Sequence, residues 1–440
     1  MLDHPAAVRV STDHTHFRCI ECKNEQNLLK ERVFVCAKCG ELLDVHTNYS
    51  PLLKSNVADL KKVFDGRCVP GQDPVRCSGV WRFQYLVWPE LNPAHIVTLG
   101  EGIIPIVPAG RKVKEWVGGD LDLHFILEGQ NPSGSFKCMG MTAMITLARL
   151  AGATGASCAS TGDTSAALAA YCAAAGLPCT VLLPLDKVTG AQLTQPVYYG
   201  ARVIGIPGDF DDCMLIQKVL IERYGSYPGN SLNSMRIAGH MATAFLLAQY
   251  FGWQLPDWIA APVGNGSNTS SIGMGMRRLV DLRFVPKSAR ILGCQTEMAN
   301  PLASSWSQTS AAWLKQYHPK KADDTIATAT QIGAPVSFKK VIREVTASRG
   351  SMQSVSEADI REAMDVCLKE GLPVCPQTGI AVAGLRAAVR RGAVQNGQCV
   401  AVVSTATALK FSDVYKETVE KSVEKAPDTD PESIARMLKL

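Results

Sequence analysis

The chain has 440 residues, of which 46% are hydrophobic, and this is enough material for two or three domains with substantial cores. Its net charge of +5 comes from 45 basic and 40 acidic residues, a balance that argues against a nucleic-acid partner. No apolar run approaches the roughly 20 residues of a membrane-spanning helix, and the polar first residues do not resemble a leader peptide. We therefore expect a cytoplasmic protein with neither a nucleic-acid nor a membrane partner; the alternative is an organellar protein with a cleaved leader.

The 15 cysteines, an odd number, are scattered along the chain, which favours reduced thiols over a disulfide framework. Four of them form two pairs near the N-terminus, Cys19-x-x-Cys22 and Cys36-x-x-Cys39, separated by 13 residues. This spacing is typical of a zinc ribbon, in which two thiolate pairs complete a tetrahedral site. We predict a structural zinc ion on these four residues; the alternative is a pair of reduced turns from which the metal has been lost.

Residues 47–95 are expected to connect this module to the rest of the chain, with their aromatic run SGVWRFQYLVWPEL packed against the main body. From about residue 96 onward, short apolar segments alternate with helical stretches. Such alternation predicts right-handed βαβ units and parallel sheets covered on both faces, which is an α/β fold. Strands are predicted around Ser157 and over residues 180–183, 203–206, 259–263 and 291–295.

The segment 131–137, NPSGSFK, places Lys137 just after a tight polar turn and at the start of a helix. A buried strand is predicted over 123–127, and apolar residues recur at helical spacing after the lysine. A lysine at such a strand-to-helix junction can form a Schiff base with pyridoxal phosphate, whose ring then accepts electrons in carbanion chemistry. The alternative is a solvated lysine in the first turn of a helix.

Two further loops follow predicted strands and open helices. Residues 159–165, ASTGDTS, offer hydroxyls and backbone N–H groups to a carboxylate, although a capped helix without a ligand explains the same residues. Residues 262–269, PVGNGSNT, contain glycines that let the backbone close around phosphate oxygens, although an ordinary turn also uses them. The two loops are therefore candidates for a carboxylate site and a phosphate site.

Taken together, these loops resemble the pyridoxal-phosphate enzymes of the tryptophan-synthase-β fold type, and among them the plant and archaeal branch of the threonine synthase family. The resemblance runs from about Leu99 to Phe411 and also rests on GNSLNSMR at 229–236, IGAPVS at 332–337 and VVSTATALKF at 402–411. It implies two doubly wound open-sheet domains with the cofactor between them, plus the small zinc-ribbon-like module. The implied boundaries are 1–46 for the module, 47–95 for the connecting region, 96–139 and 236–415 for the large cofactor-binding domain, 140–235 for the small α/β domain, and 416–440 for a charged tail.

The resemblance also implies roles for individual residues. Lys137 would hold the cofactor and move protons at the substrate's carbons. The ring and phosphate of the cofactor would contact Asp163, Thr405, Gly264, Asn265, Gly266, Ser267 and Asn268. The substrate's carboxylate would contact Ser160, Thr161 and Thr164, and its phosphate would contact Asn230, Ser231 and Arg236. An arginine suits that task because its planar fork pairs two phosphate oxygens at once. His240, close to Arg236, is a candidate acid–base group or else a structural histidine.

The implied reaction converts O-phosphohomoserine and water to threonine and phosphate by γ-elimination followed by β-addition, and the fold type favours a homodimer. Several positions depart from the family pattern. Cys138 stands where an aspartate is usual, and Thr407 and Ala408 stand where a histidine and a glycine are usual. These departures leave open a β- or γ-replacement reaction, in which an O-phospho amino acid reacts with sulfite, a thiol or an amine instead of water.

Overall fold

The computed structural model of the chain describes residues 14–30, 34–50, 56–67, 73–160, 162–185, 190–208, 210–416 and 422–439. Its strands are β1 Thr15–Cys19, β2 Glu25–Gln26, β3 Leu43–Thr47, β4 Ile106–Pro108, β5 Asp122–Leu127, β6 Ala156–Ala159, β7 Cys179–Pro184, β8 Arg202–Ile206, β9 Tyr227–Pro228, β10 Trp258–Pro262, β11 Arg290–Thr296, β12 Ser351–Val355 and β13 Cys399–Ser404. Its helices are α1 Val57–Gly66, α2 Pro74–Cys77, α3 Gln84–Val87, α4 Arg111–Val117, α5 Lys137–Leu150, α6 Asp163–Ala175, α7 Gly190–Tyr198, α8 Phe210–Tyr224, α9 Ser234–His240, α10 Ala242–Tyr250, α11 Ser267–Asp281, α12 Pro301–Ser304, α13 Ser310–Gln316, α14 Phe338–Ala347, α15 Glu357–Leu368, α16 Pro376–Arg390 and α17 Pro431–Leu438.

The largest sheet has six strands in the order β12-β11-β10-β13-β5-β4. All neighbouring strands run parallel except β4, which pairs with β5 in the antiparallel direction. The prediction of purely parallel sheets is wrong at this edge, because β4 has only three residues and ends at Pro108, a residue that sheets tolerate at an edge. Successive residues of β13 point to opposite faces: Val400 and Val402 pack in one core cluster, Ala401 and Val403 in the other.

The second α/β sheet has four parallel strands in the order β8-β7-β6-β9. The strands predicted around Ser157 and at 180–183 and 203–206 are β6, β7 and β8, and those predicted at 259–263 and 291–295 are β10 and β11 within one residue at each end. Each predicted strand is a short apolar run between turn residues. Helices separate these parallel strands along the chain, which confirms the predicted α/β class. The proposed domain boundaries stay a prediction.

The N-terminal module is a small antiparallel sheet of β2, β1 and β3 that packs directly on the main body. Phe17 and Phe34 lie in the same core cluster as the helices around Lys137, and the ring of Phe34 lies 5.3 Å from that of Tyr227, edge to face. Trp81 and Trp88, from the aromatic run of the connecting region, are also buried in this cluster, as predicted. The module therefore shares its hydrophobic core with the rest of the protein.

Helices α5 and α9 cross at close range because each has a glycine at the contact. A Cβ atom on Gly239 would lie 2.1 Å from the Met139 carbonyl oxygen, and one on Gly140 would lie 2.5 Å from the ring of His240. The crossing brings the side chains of α9 next to the first turn of α5, which begins at Lys137. Among the described residues, every helix is too short or too polar to traverse a lipid bilayer.

Candidate active site

Three adjacent strands of the six-stranded sheet, β10, β13 and β5, deliver the predicted cofactor residues at their carboxyl ends. Loop 264–268 follows β10, Thr405 follows β13, and the turn with Lys137 follows β5. The backbone N–H of Phe136 donates to the Thr405 carbonyl oxygen (2.9 Å), which fixes the lysine turn to the end of β13. Gly134 has φ +77° in this turn, a conformation that other residues adopt only at a cost. The sheet thus gathers these three segments at one edge.

The Lys137 side chain is half-buried, and its ammonium nitrogen lies 3.5 Å from the centroid of the Phe136 ring. Burial of the amine lowers the pKa of Lys137 to about 7, and the positive charges of Arg236 and Lys410 lower it further, against the opposing effect of Asp163 and Glu128. Near neutral pH a large share of the amine is therefore uncharged. An uncharged amine is the form that attacks an aldehyde or accepts a proton.

Glu128, which the sequence reading did not single out, is a fully buried carboxyl group in the 3₁₀ turn directly after β5. Thr243 donates a 2.6 Å hydrogen bond to its Oε1 atom, while Oε2 is buried and has no partner among the described residues. Burial raises the pKa of Glu128 to about 8, so the group is mostly protonated at neutral pH. The sequence signal that could have identified Glu128 is its position directly after a predicted buried strand and before a polar loop.

Asp163, the first residue of α6, pairs with Lys410, for which the sequence predicts no individual role. The Lys410 ammonium nitrogen lies 2.9 Å from Asp163 Oδ1 and donates to the Ser133 carbonyl oxygen (3.0 Å). Both charged side chains are almost completely buried. The pair joins the helix after β6, in the four-stranded sheet, to the segment after β13, in the six-stranded one.

Arg236 on α9 is buried and makes hydrogen bonds through two of its three nitrogens. Nη1 donates to the Gly229 carbonyl oxygen (2.9 Å) and Nη2 to Thr164 Oγ1 (3.1 Å), while Nε is buried with no partner among the described residues. Burial lowers the pKa of Arg236 to about 10, so the guanidinium stays charged at neutral pH. An uncompensated buried cation beside a hydroxyl is a suitable anion site.

The other predicted substrate residues differ in their hydrogen bonding and burial. The Asn230 amide donates to the Ala159 carbonyl oxygen (2.9 Å) and accepts from the Ala159 N–H (3.1 Å), so its side chain holds the end of β6. Ser231 is half-buried in the turn before α9. Ser160 Oγ accepts from the Gly162 N–H (3.3 Å) at the start of α6. Thr161 lies outside the described residues.

His240 lies at the end of α9, 4.9 Å from the Phe136 ring between ring centroids. The residue is completely buried, and neither ring nitrogen has a partner among the described residues. Burial lowers the pKa of His240 well below its usual value, and the charges of Arg236 and Lys137 add to the effect. The imidazole is therefore neutral at physiological pH and can both donate and accept a hydrogen bond.

The loop predicted to bind the cofactor's phosphate has the shape of a cradle at the start of α11. Gly266 has φ +82°, and a Cβ atom there would lie 2.4 Å from Val341 Cγ2. Asn265 accepts from the N–H groups of Val336 (3.2 Å) and Ser337 (3.0 Å). The amide of Asn268 and the hydroxyl of Thr269 are buried without a partner in the described residues. Ser267, the first residue of α11, is buried beside them. Buried polar atoms are normally paired, so these fit a polar group that the chain does not supply.

Two departures from the family pattern have structural roles. The Cys138 thiol accepts from the Ser133 N–H (3.2 Å) and lies 2.9 Å from the Ser133 hydroxyl, so it fixes the turn in which an aspartate is usual. Burial raises the pKa of Cys138 to about 11, which keeps the thiol neutral. Thr407 caps the following 3₁₀ helix by accepting from the Leu409 N–H. Thr405 Oγ1 lies 3.5 Å from Cys375 Sγ, at the end of β13.

The four cysteines of the N-terminal module form a compact cluster, in which all sulfur atoms lie within 4.8 Å of one another. Three sulfur pairs, Cys19–Cys39, Cys22–Cys36 and Cys22–Cys39, are each 3.5 Å apart. A tetrahedral zinc site with bonds of about 2.3 Å places its sulfurs about 3.8 Å apart. The cluster therefore has the size that such a site requires. No disulfide bond joins any of the cysteines that the structure describes.

Comparison with known protein families gives one match over most of the chain. The profile of the family described as "Pyridoxal-phosphate dependent enzyme" matches residues 97–405. This range contains every residue that the sequence predicts at the cofactor and substrate site.

Curated relatives and solved structures point to the same group. The chain is 34% identical to threonine synthase 2, chloroplastic, of Arabidopsis thaliana over 92% of this chain and 78% of that protein. It is 33% identical to the threonine synthase of Methanocaldococcus jannaschii over 96% of this chain and 99% of that protein. The structure of maize serine racemase matches with a TM-score of 0.62 at 17% identity, covering 78% of this chain and 96% of that one. Threonine deaminase isoform 2 of Solanum lycopersicum matches with a TM-score of 0.60 at 17% identity, covering 73% and 88%. The structural likenesses show the fold.

Proposed function

This chain belongs to the family of pyridoxal-phosphate-dependent enzymes, and on that premise we propose that it makes threonine and phosphate from O-phosphohomoserine and water. The observation that carries the proposal is the half-buried Lys137, whose amine has a lowered pKa, close to the buried guanidinium of Arg236. A nucleophilic amine and an anion site are what a lyase acting on a phosphate ester needs. The identity to threonine synthases supports this choice of substrate.

Lys137 would hold the cofactor covalently, and its amine would accept and return protons at the substrate's carbons. When bound, pyridoxal phosphate supplies a ring that withdraws electrons from those carbons. The lowered pKa of the lysine supports the role, because an amine that titrates near pH 7 both accepts and returns a proton at physiological pH. Glu128, protonated at the same pH, keeps a second proton close to this amine.

The cofactor's phosphate is held by Gly264, Asn265, Gly266, Ser267 and Asn268. The unpartnered amide of Asn268 and the start of α11 support this assignment, since a helix N-terminus favours a negative charge. Asp163 and Thr405 hold the ring. The ion pair with Lys410 orients the Asp163 carboxylate, and Thr405, which directly follows β13, would contact the ring.

Arg236 binds the phosphate of the substrate, with Asn230 and Ser231 beside it. The unpartnered Nε atom of Arg236 supports this assignment, because it leaves a donor for an incoming phosphate while Nη1 and Nη2 keep their partners. Ser160, Thr161 and Thr164 bind the carboxylate. Thr164 is already joined to Arg236, so the carboxylate and phosphate sites are adjacent.

The direct test is to incubate the purified protein with O-phosphohomoserine and to measure released phosphate and threonine together. We expect equal amounts of the two products. The variant Arg236→Gln is expected to raise KM for the phosphorylated substrate, whereas the exposed Lys112→Ala is expected to change nothing. Absence of both products in the cofactor-loaded protein contradicts the proposal.

A second candidate is a replacement reaction with sulfite, a thiol or an amine as the nucleophile. The observation that favours it is the neutral Cys138 thiol, which stands where the family usually has an aspartate, close to Lys137. Without that negative charge the site has less means to activate water. This reaction is identified if phosphate is released without threonine, and if adding one of these nucleophiles yields a new amino acid that contains it.

We propose that Cys19, Cys22, Cys36 and Cys39 hold a structural zinc ion, supported by their sulfur spacing. The ion would lock the two turns of the module together. Elemental analysis is expected to find one zinc ion more per chain in the unchanged protein than in Cys36→Ser. Equal zinc content in the two proteins contradicts the proposal.

We also propose that the protein is a homodimer in the cytoplasm. The fold type supports the first statement and the reduced cysteines support the second. Sedimentation of the purified chain and localisation of a tagged copy in the source cell test them.

A further inference from the structure

A second group of metal-ligating side chains lies at the opposite end of the large sheet from the candidate active site. Asp122 and His124 are the first and third residues of β5, and Cys399 is the first residue of β13. In the sheet register Cys399 is the direct partner of Asp122. Because side chains two apart on a strand, and those of registered partners, point to the same face, the three are neighbours on one rigid surface.

The three donor atoms are close enough to share one ion. His124 Nε2, Asp122 Oδ1 and Cys399 Sγ all lie within 4.8 Å of one another, and the first two are 2.8 Å apart. The backbone N–H of Cys399 donates to Asp257 Oδ2 (3.1 Å), which anchors the start of β13. A sulfur, an imidazole nitrogen and a carboxylate oxygen form a donor set that suits zinc and similar transition metals, and not calcium or magnesium.

The surroundings of His124 support ligation through Nε2. Its other ring nitrogen, Nδ1, lies 3.4 Å from the Tyr250 hydroxyl, and the Phe251 ring packs edge-on against the imidazole at 5.1 Å between centroids. Metal-binding histidines commonly have such a partner on the second nitrogen, which fixes the ring and its tautomer. The His124 side chain is 12% exposed, whereas that of Asp122 is 62% exposed, so one side of the group faces solvent.

We propose that Asp122, His124 and Cys399 form a binding site for zinc or a similar divalent transition metal, with water in the fourth position. The ion ties the starts of β5 and β13 together. These are the strands whose other ends carry the Lys137 turn and Thr405, so the metal stabilises the pair of strands on which the active site is built. The site is distinct from the four-cysteine cluster and independent of the reaction proposed above.

The test counts zinc per chain in the full-length, cofactor-loaded protein after dialysis against buffers of fixed free zinc concentration. We expect Cys399→Ser and Asp122→Asn each to bind one zinc ion less per chain than the unchanged protein. Tyr250→Phe, which removes only the hydroxyl near Nδ1, is expected to weaken this ion's binding by about 10- to 100-fold. Cys77→Ser, at a cysteine outside both clusters, is expected to bind as the unchanged protein does.

Cobalt provides a second readout, because a thiolate ligand gives cobalt(II) a characteristic charge-transfer absorption. We expect Cys399→Ser to remove part of this absorption in difference spectra and to leave the part due to the four-cysteine cluster. Asp122 is largely exposed, so Asp122→Asn is expected to fold normally. Its zinc count therefore decides the question even if Cys399→Ser does not fold. Equal zinc stoichiometry and affinity in Asp122→Asn and the unchanged protein overturn the proposal.

Discussion

The Lys410 ammonium nitrogen lies 2.9 Å from the Asp163 carboxylate in an ion pair that is almost completely buried. Asp163 begins the helix after β6, and Lys410 follows β13, so the pair connects the four-stranded sheet to the six-stranded one. Lys410 also donates to the Ser133 carbonyl oxygen in the turn before Lys137. One side chain thus contacts both halves of the candidate site.

Lys410→Met is therefore expected to lower the free energy of unfolding by about 3–5 kcal/mol, because it leaves a buried carboxylate without its counter-ion. The same change is expected to weaken cofactor binding, since Asp163 loses its orientation. Denaturant unfolding and cofactor titration measure the two effects. Lys416→Ala, at an exposed lysine on the same segment, is the control and is expected to change neither. Wild-type stability in Lys410→Met would show that the pair contributes nothing.

Because α5 and α9 cross so closely, a methyl group added at Gly140 is expected to reduce both stability and substrate affinity. In Gly140→Ala the new Cβ atom would lie 2.5 Å from the His240 ring and 2.6 Å from Arg236 Cγ. We expect a loss of about 1–3 kcal/mol in stability, as for other overpacked cores, together with a higher KM because Arg236 is displaced. Gly66→Ala, where nothing lies within 4 Å, is the matched control. Unchanged kinetics in Gly140→Ala would contradict the placement of α9.

The lowered pKa of Lys137 predicts how cofactor uptake depends on pH. Only the neutral amine attacks the aldehyde, so the rate of uptake by the apoprotein should rise with a midpoint near pH 7, and not near the 10.4 or so of an ordinary lysine. Because the folded pKa lies below the unfolded one, the contribution of Lys137 to stability increases with pH between these two values.

Two variants move this midpoint in opposite directions. Arg236→Gln removes a positive charge and is expected to raise the midpoint, whereas Asp163→Asn removes a negative charge and is expected to lower it. Stopped-flow absorbance of cofactor binding measures both. A midpoint near pH 10 in the unchanged protein would show that the amine is not desolvated.

The N-terminal module is expected to unfold together with the main body. The Leu43 carbonyl oxygen on β3 accepts from the Ser234 hydroxyl, at the start of α9, and from the Lys340 ammonium group (2.6 Å). Asp44 pairs with Lys340 (2.9 Å) and Arg343 (2.8 Å). Cys36→Ser is therefore expected to lower the midpoint temperature of a single unfolding transition shared by the module and the main body. It is also expected to raise KM, because β3 contacts the start of α9, which carries Arg236. Cys77→Ser is the control. A separate low-temperature transition that leaves catalysis intact would contradict this.

The strands and the turn before Lys137 were predictable because their signals are local. Short apolar runs between glycine, proline and polar residues define β5, β6 and β10, and the NPSGSFK turn needs a glycine at the position where φ is positive. The pairing of four cysteines followed from their spacing alone, since two such turns can meet at one centre.

The remaining features depend on contacts between distant parts of the chain. Nothing near Lys410 in the sequence indicates that it pairs with Asp163, and nothing near Gly140 indicates that α9 crosses there. Glu128 looks like an ordinary surface glutamate until its burial is known. The antiparallel edge strand β4 was missed because three residues ending in proline carry almost no strand signal.

The role of Lys137 is tested most directly by finding the residue that carries pyridoxal phosphate. The cofactor-loaded protein is reduced with borohydride, digested, and mapped by mass spectrometry, with Lys137→Ala in parallel. We expect a single modified peptide, which contains Lys137, in the unchanged protein. In the variant we expect no modified peptide and no threonine formation. A label on another lysine, or a fully active Lys137→Ala protein, would contradict it.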